Sequence, residues 1–145
     1  LKIDYEFILI FKKLGNPPKP TLEQKENSIM TKEEWNQYFS SHWNFSGVKQ
    51  SEHIAMFPEE LPKRLIKMFS FFGETIFDPF LGSGTTSVVA KKLNRNYCGI
   101  EQNPTYCAWT ESRLEKAKED KTIQGFFDNI FWERNTLAIQ NKLKI

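Results

Sequence analysis

With 145 residues the chain is long enough for one compact domain with its own core and too short for two. Apolar residues make up 39% and phenylalanine alone fills 13 positions, which excludes a disordered chain, while 20 Lys+Arg against 18 Asp+Glu leave a formal charge of +2 that neither marks nor excludes a nucleic-acid partner. The longest apolar runs, residues 7–11 and 68–72, are too short to cross a bilayer and no signal peptide opens the chain, so a soluble, cytoplasmic protein is expected.

In chain order, residues 5–11 (YEFILIF) form a nearly continuous apolar run of strand length closed by Lys12, Lys13 and Gly15, and read as a buried strand. The chain opens on Leu1 rather than Met, and this strand begins almost at once, so a further portion or a separate partner is expected upstream. Residues 16–20 (NPPKP) are a turn-rich breaker. Residues 21–49 are polar but carry Trp35, Tyr38, Phe39, Trp43 and Phe45, whose spacing fits packing better than base contact. Thr31 with Glu34 fits a capping box that opens a short helix.

Residues 58–69 (PEELPKRLIKMF) read as an amphipathic helix with Leu61, Leu65, Ile66 and Phe69 as its buried stripe. Gly73 ends it, and a strand is expected over residues 74–80. A glycine-rich turn at 81–84 leads into a helix from Thr85 to about Leu93, and residues 96–101 read as a second strand. Asn103 and Pro104 then suit the cap and first position of a helix running to about Lys118. This order is a βαβ unit of a doubly wound α/β sheet. Cys98 and Cys107 have no metal-site spacing and read as two buried thiols. Residues 121–145 mix aromatics with charges and leave strand and helix both open.

The informative stretch is Asp78, Pro79, Phe80, Leu81, Gly82, Ser83, Gly84, Thr85 and Thr86, leaving a strand and entering a helix. Glycines at 82 and 84 let the backbone turn sharply and admit a ligand to the main chain. The free amides and positive end of the next helix attract an anion. Glu101 ends the second strand 19 residues after Gly82, where a carboxylate accepts from ribose hydroxyls through charge-assisted bonds of roughly 1.5–3 kcal/mol each. Turn and acid together indicate an adenosine site. No Gly-Lys-Ser/Thr follows the turn, against a P-loop, and Ser87 stands where a dinucleotide fingerprint has its third glycine. Asp78 would repel a pyrophosphate yet suits the amino group of a methionine moiety. S-adenosylmethionine, with one carboxylate, one ammonium and a sulfonium, matches that set.

DPFLGSGTT resembles the cofactor motif of the bacterial restriction-modification amino-methyltransferases, which methylate adenine at N6 or cytosine at N4. Residues 53–62 (HIAMFPEELP) look like the element that precedes this motif in their permuted, beta class and closes over the methionine end. Residues 99–106 (GIEQNPTY) are similar to the ribose-binding motif, and residues 5–13 resemble the last strand before the target-recognition segment. The resemblance implies a partial Rossmann-like S-adenosylmethionine-dependent methyltransferase fold with double-stranded DNA as partner. It also implies Phe57, Asp78, Pro79, Phe80, Gly82, Ser83, Gly84, Thr85, Thr86, Glu101 and Gln102 as cofactor contacts. The expected organisation is one domain: residues 1–15 as a strand belonging to the catalytic half, 16–50 as a short recognition segment, 51–120 as the cofactor-binding unit and 121–145 as a tail. If 16–50 is the recognition segment, Lys19, Lys25, Lys32, Lys49 and Trp43 are its candidate DNA contacts, although ordinary surface lysines explain each of the four better.

The family holds the target amine with a short Asp/Asn/Ser-Pro-Pro-aromatic motif, and this sequence has none. Asn16-Pro17-Pro18-Lys19 puts a lysine where the stacking ring belongs and follows the wrong strand. No catalytic residue or metal ligand is therefore expected here. The chain reads as the C-terminal, cofactor-binding part of such an enzyme, inactive alone, with the catalytic half upstream or on a separate polypeptide. A non-catalytic DNA-binding or assembly subunit with a vestigial fold is the alternative, and a methyltransferase acting on RNA or protein is a third.

Overall fold

The structure, a computed structural model, describes residues 6–44 and 57–117. Within them lie α1 (Leu22–Glu26), α2 (Lys32–Tyr38), α3 (Glu60–Phe69), β1 (Thr75–Asp78), α4 (Thr85–Lys92), β2 (Asn96–Gly99) and α5 (Pro104–Lys116). β1 and β2 pair in parallel with Thr75 opposite Asn96 and Asp78 opposite Gly99. This βαβ unit is the expected partial doubly wound α/β arrangement. α4 lies against both strands and is flanked by α3 and α5. Ile66, Val89, Ala90 and Leu93 form the core with Ile76 packed on it, and burying each large aliphatic side chain stabilises by roughly 1.5–3 kcal/mol. No helix among the described residues is long and apolar enough to cross a membrane.

Local signals set the helix starts. Thr31 and Glu34 close the expected capping box at α2, and Thr21 with Gln24 closes a second at α1. Asn103 accepts from the Thr105 amide ahead of Pro104. Both strands are shorter than expected, β1 ending at Asp78 and β2 at Gly99, although the Glu74 carbonyl and the Ile100 amide still hydrogen-bond across to the neighbouring strand.

Helix α3 differs most from its expected orientation. Its buried positions include Arg64 and Lys67, whereas Leu61 and Leu65 are half-buried and Phe69 is exposed. Residues 21–43 explain this, since they dock on the charged flank of α3. Lys67, only 5% exposed, donates to both carboxylate oxygens of Glu34. Arg64 pairs with Glu60 at 2.8 Å and lies over the rings of Tyr38 and Trp43 at 5.3 and 5.2 Å. The Trp43 indole donates to the Tyr38 carbonyl and Trp35 stacks on Phe39, so the clustered aromatics pack as expected; Phe45 lies outside the described residues.

The same segment reaches the amino ends of the strands. Ser28 accepts from the Phe72 amide at 2.7 Å and from Arg95, and Gln24 donates to the Phe72 carbonyl. The buried Arg95 also donates to the Leu93 and Ser70 carbonyls at 2.7 and 3.0 Å, joining the ends of α4 and α3. Burial pulls its pKa down to about 10, with the Glu74 carboxylate acting the other way. It stays charged near neutrality, where cations suit helix C-termini.

Two further expectations are corrected. Residues 6–11 form no strand and are exposed, because no described residues offer the partner strands that a buried strand needs; Tyr5 lies outside the described residues. Cys98 is exposed on β2 rather than buried, since the helical layer covers one face of the sheet only. Phe77 is 57% exposed for the same reason.

Candidate functional site

The carboxyl ends of β1 and β2 place Asp78 and Glu101 side by side with the glycine turn between them. One Asp78 oxygen accepts from the Phe80 amide at 2.9 Å and the other from the Thr86 hydroxyl at 2.7 Å. The Leu81 amide donates to the Ile100 carbonyl and the Gly84 amide closes the turn on the Leu81 carbonyl, both at 3.0 Å. Gly82 and Gly84 hold φ of 55° and 81°, the left-handed region that glycine enters without a Cβ penalty.

Glu101 meets the turn directly. Its Oε2 accepts from the Gly82 amide at 2.9 Å and its Oε1 from the Asn103 amide at 2.8 Å. Two carboxylate oxygens offer about four acceptor sites, so each keeps capacity for a further donor such as a ribose hydroxyl. Gly84 caps α4 with no side-chain hydrogen bond, and the first-turn amides of a helix have no partner within it. That positive end and the two carboxylates lie at the carboxyl ends of the strands, the edge at which ligands of open α/β sheets bind.

The rear of the turn is fixed by α5. Arg113 Nη1 donates to the Ser83 carbonyl at 2.7 Å and to Thr85 Oγ1 at 3.1 Å, and Thr110 Oγ1 donates to the Gly82 carbonyl at 3.2 Å. Ser83 and Thr85 are therefore buried, with their side chains engaged from behind the turn. Gly82 meets Glu101 and Asp78 meets Thr86 at the strand ends, while Gly84 packs against Thr110. Pro79, Phe80 and Gln102 are exposed beside them. Sequence reasoning missed Thr110, Arg113 and Glu59; the available signal was the three-residue spacing that puts Thr110 and Arg113 on one face of α5.

Phe57 sits in a different part of the site. It lines an apolar cavity of about 300 Å³ with Leu61, Leu65, Phe69, Ile76 and Thr86. Thr86 connects this cavity to Asp78. Leu61, Leu65 and Phe69 of the expected apolar stripe thus line the cavity, while Ile66 both borders it and packs in the core.

The carboxylates of Asp78 and Glu101 are acceptors, which suit a cationic or hydroxyl-bearing ligand and repel a pyrophosphate. Arg113 holds the turn from the α5 side, with Nη1 committed to Ser83 and Thr85.

The chain is similar to known DNA methylases. A family model described as DNA methylase, of the N6 and N4 type, matches residues 1–112. The type II methyltransferase M.MjaI of Methanocaldococcus jannaschii is 47% identical over 106 residues, covering 68% of this chain and 35% of the relative. The type II methyltransferase M.MthZI of Methanothermobacter thermautotrophicus is 37% identical over 124 residues, covering 78% and 35%. A candidate DNA modification methylase of Thermus thermophilus, solved with S-adenosyl-L-methionine, superposes with a TM-score of 0.62 at 36% identity, covering 72% of this chain and 41% of that one. The chain spans about a third of the length of the curated relatives it matches. With the model matched over residues 1–112 and the glycine turn and Glu101 in hydrogen-bond contact, the chain belongs to the N6/N4 DNA methylase family.

Proposed function

We propose that this chain supplies the S-adenosylmethionine-binding part of a site-specific DNA amino-methyltransferase, acting on adenine N6 or cytosine N4 in a restriction-modification system. The observation that carries this reading is the Glu101 carboxylate on the Gly82 amide at 2.9 Å, beside Asp78. Glu101 would take the ribose hydroxyls. Asp78 would take the ammonium of the methionine moiety, and the Gly82 to Thr86 backbone and the positive end of α4 its carboxylate side. Phe57, Pro79, Phe80 and Gln102 are proposed as the rim. When bound, the cofactor supplies an electrophilic methyl group on a sulfonium.

Transfer to an exocyclic amine also requires a flipped base and acceptors that aim the amine. No Asp/Asn/Ser-Pro-Pro-aromatic segment is present in this sequence, so those groups must come from another part of the protein or from a separate polypeptide. The open cavity along α3 and the exposed Phe77 and Ile100 support such a covering part, because parallel sheets bury both faces. The rival reading, a non-catalytic subunit with a vestigial fold, is not favoured by relatives that are themselves named methyltransferases. Work on double-stranded DNA would be done in the cytoplasm.

Calorimetry on the full chain tests the pocket. Roughly micromolar binding of S-adenosylmethionine is expected, weakened about tenfold or more in Glu101→Ala. No binding, or an unaffected variant, refutes the pocket. Labelled-methyl transfer to duplex DNA by the chain alone refutes its dependence on a second part.

A further inference from the structure

We infer that Arg113 is the positioning residue of the 82–85 turn, holding its peptide groups in the orientation that a bound S-adenosylmethionine meets. The inference rests on the proposed cofactor site but reads a different part of it. Among the described residues, the hydrogen bonds of Arg113 go to Ser83, Thr85 and Glu59, none of them to Asp78 or Glu101. Its Nη1 donates to the Ser83 carbonyl at 2.7 Å, to Thr85 Oγ1 at 3.1 Å and to Ser83 Oγ at 3.3 Å. Thr110, three residues earlier on α5, donates to the neighbouring Gly82 carbonyl at 3.2 Å.

Peptide planarity turns these contacts into control of the amides. In a trans peptide the carbonyl and the following N–H point in opposite directions. Drawing the Gly82 carbonyl toward α5 therefore directs the Ser83 amide away from α5. Drawing the Ser83 carbonyl the same way directs the Gly84 amide inward to close the turn on the Leu81 carbonyl at 3.0 Å. Two left-handed glycines give this loop little intrinsic preference for one orientation. The selection must come from outside the loop, and α5 provides it.

The other end of Arg113 extends the device. Nη2 lies 3.5 Å from Glu59 Oε1, and Lys92 donates to Glu59 Oε2. Glu59 caps α3 two residues after Phe57. One guanidinium thus links the glycine turn to the start of the helix whose apolar face lines the Phe57 cavity. A lysine cannot make both links, because it lacks the planar fork.

The test compares Arg113→Ala, Arg113→Lys and Thr110→Val with Lys91→Ala in the full chain. Lys91 ties α4 to the Leu114 carbonyl of α5 at 2.7 Å, and among the described residues its side chain has no hydrogen bond to the turn, so it reports helix packing. In ¹⁵N spectra of the ligand-free protein, Arg113→Ala should shift or broaden the amides of Gly82, Ser83 and Gly84. Thr110→Val should move the Ser83 amide, and Lys91→Ala should leave all three in place. By calorimetry, S-adenosylmethionine binding should weaken about tenfold in Arg113→Ala, be partly restored in Arg113→Lys, and stay within about twofold of the parent in Lys91→Ala. Unmoved turn amides in Arg113→Ala, or equal effects of Arg113→Ala and Lys91→Ala, overturn the inference. A parent that does not bind the cofactor overturns the proposed function instead, and the spectra still decide the role of Arg113. If Arg113→Ala does not fold, Thr110→Val decides it: a displaced Ser83 amide supports control of the turn from α5, and an unmoved one overturns it.

Discussion

Replacing Gly84 with alanine tests the close approach of the turn to Thr110. Gly84 holds φ at 81°, and leaving a non-glycine residue in the left-handed region costs about 1–2 kcal/mol. An added Cβ would also stand 2.5 Å from Thr110 Cγ2, 2.6 Å from Oγ1 and 2.9 Å from Cβ. Thr110 is buried on α5, so it has little room to retreat, and overpacking of this kind costs about 1–3 kcal/mol. The sum, about 2–5 kcal/mol, is a large share of the ~5–15 kcal/mol that holds an ordinary domain folded. Urea unfolding followed by far-UV circular dichroism should show this loss, with a melting point lower by about 10 °C or more. A double-mutant cycle separates its two sources. Thr110→Ala removes Cγ2 and Oγ1 but not the left-handed strain, so Gly84→Ala with Thr110→Ala should be about 1 kcal/mol or more better than the sum of the singles. A Gly84→Ala variant within about 0.5 kcal/mol of the parent, or strict additivity, refutes the close-packing account.

Two predictions concern the docked segment. Lys67→Met should destabilise by about 2–3 kcal/mol, below the ~3–5 kcal/mol of a fully buried broken pair because Glu34 retains some solvent. Adding Glu34→Gln, which keeps the α2 capping box, should recover most of that loss, and a neutral Lys67→Met would show that the pair contributes nothing. Burial, reinforced by Glu34 and Glu60, raises the Tyr38 phenol above its ordinary 10.0. The folded state therefore keeps this proton longer than the unfolded chain, so the contribution is whole below pH 10 and is lost as pH rises beyond it. Lys67 acts with the opposite sign, because burial lowers its pKa below 10.5 and favours the deprotonated form when folded. Melting points of Tyr38→Phe and the parent, compared at each pH from 9 to about 11, should converge or cross above pH 10; parallel curves would count against a buried phenol.

The site was legible where short-range rules fix geometry. A turn with two glycines between strand and helix has few backbone solutions, and an acid at the end of the next parallel strand must emerge beside it; Asp78, Gly82 and Glu101 follow. The Thr31–Glu34 box and the Asn103–Pro104 start are equally local. Arg64 and Lys67 defeated the periodicity argument because their burial depends on Tyr38, Trp43 and Glu34, some 21 to 33 positions away in the chain. Nothing in the spacing of residues 60–69 marks two cations as interior. Arg113 was hidden for a related reason: a cation near a helix C-terminus ordinarily faces water, and its engagement with Ser83 appears only when α5 is folded back on the turn.

These contacts divide the molecule along the strand axis, and the division separates two kinds of failure. At the amino ends, Arg95, Ser28 and Gln24 brace the start of the sheet with residues 21–43. At the carboxyl ends, the turn is fixed by Thr110, Arg113 and Glu101. Neither brace covers Phe77 or Ile100, or closes the cavity along α3. Glu101→Ala at the turn should then change affinity at constant solubility. Substitutions on the uncovered apolar surface, such as Phe77→Ser, should change association and solubility at constant affinity, because that surface lies outside the hydrogen bonds that shape the turn.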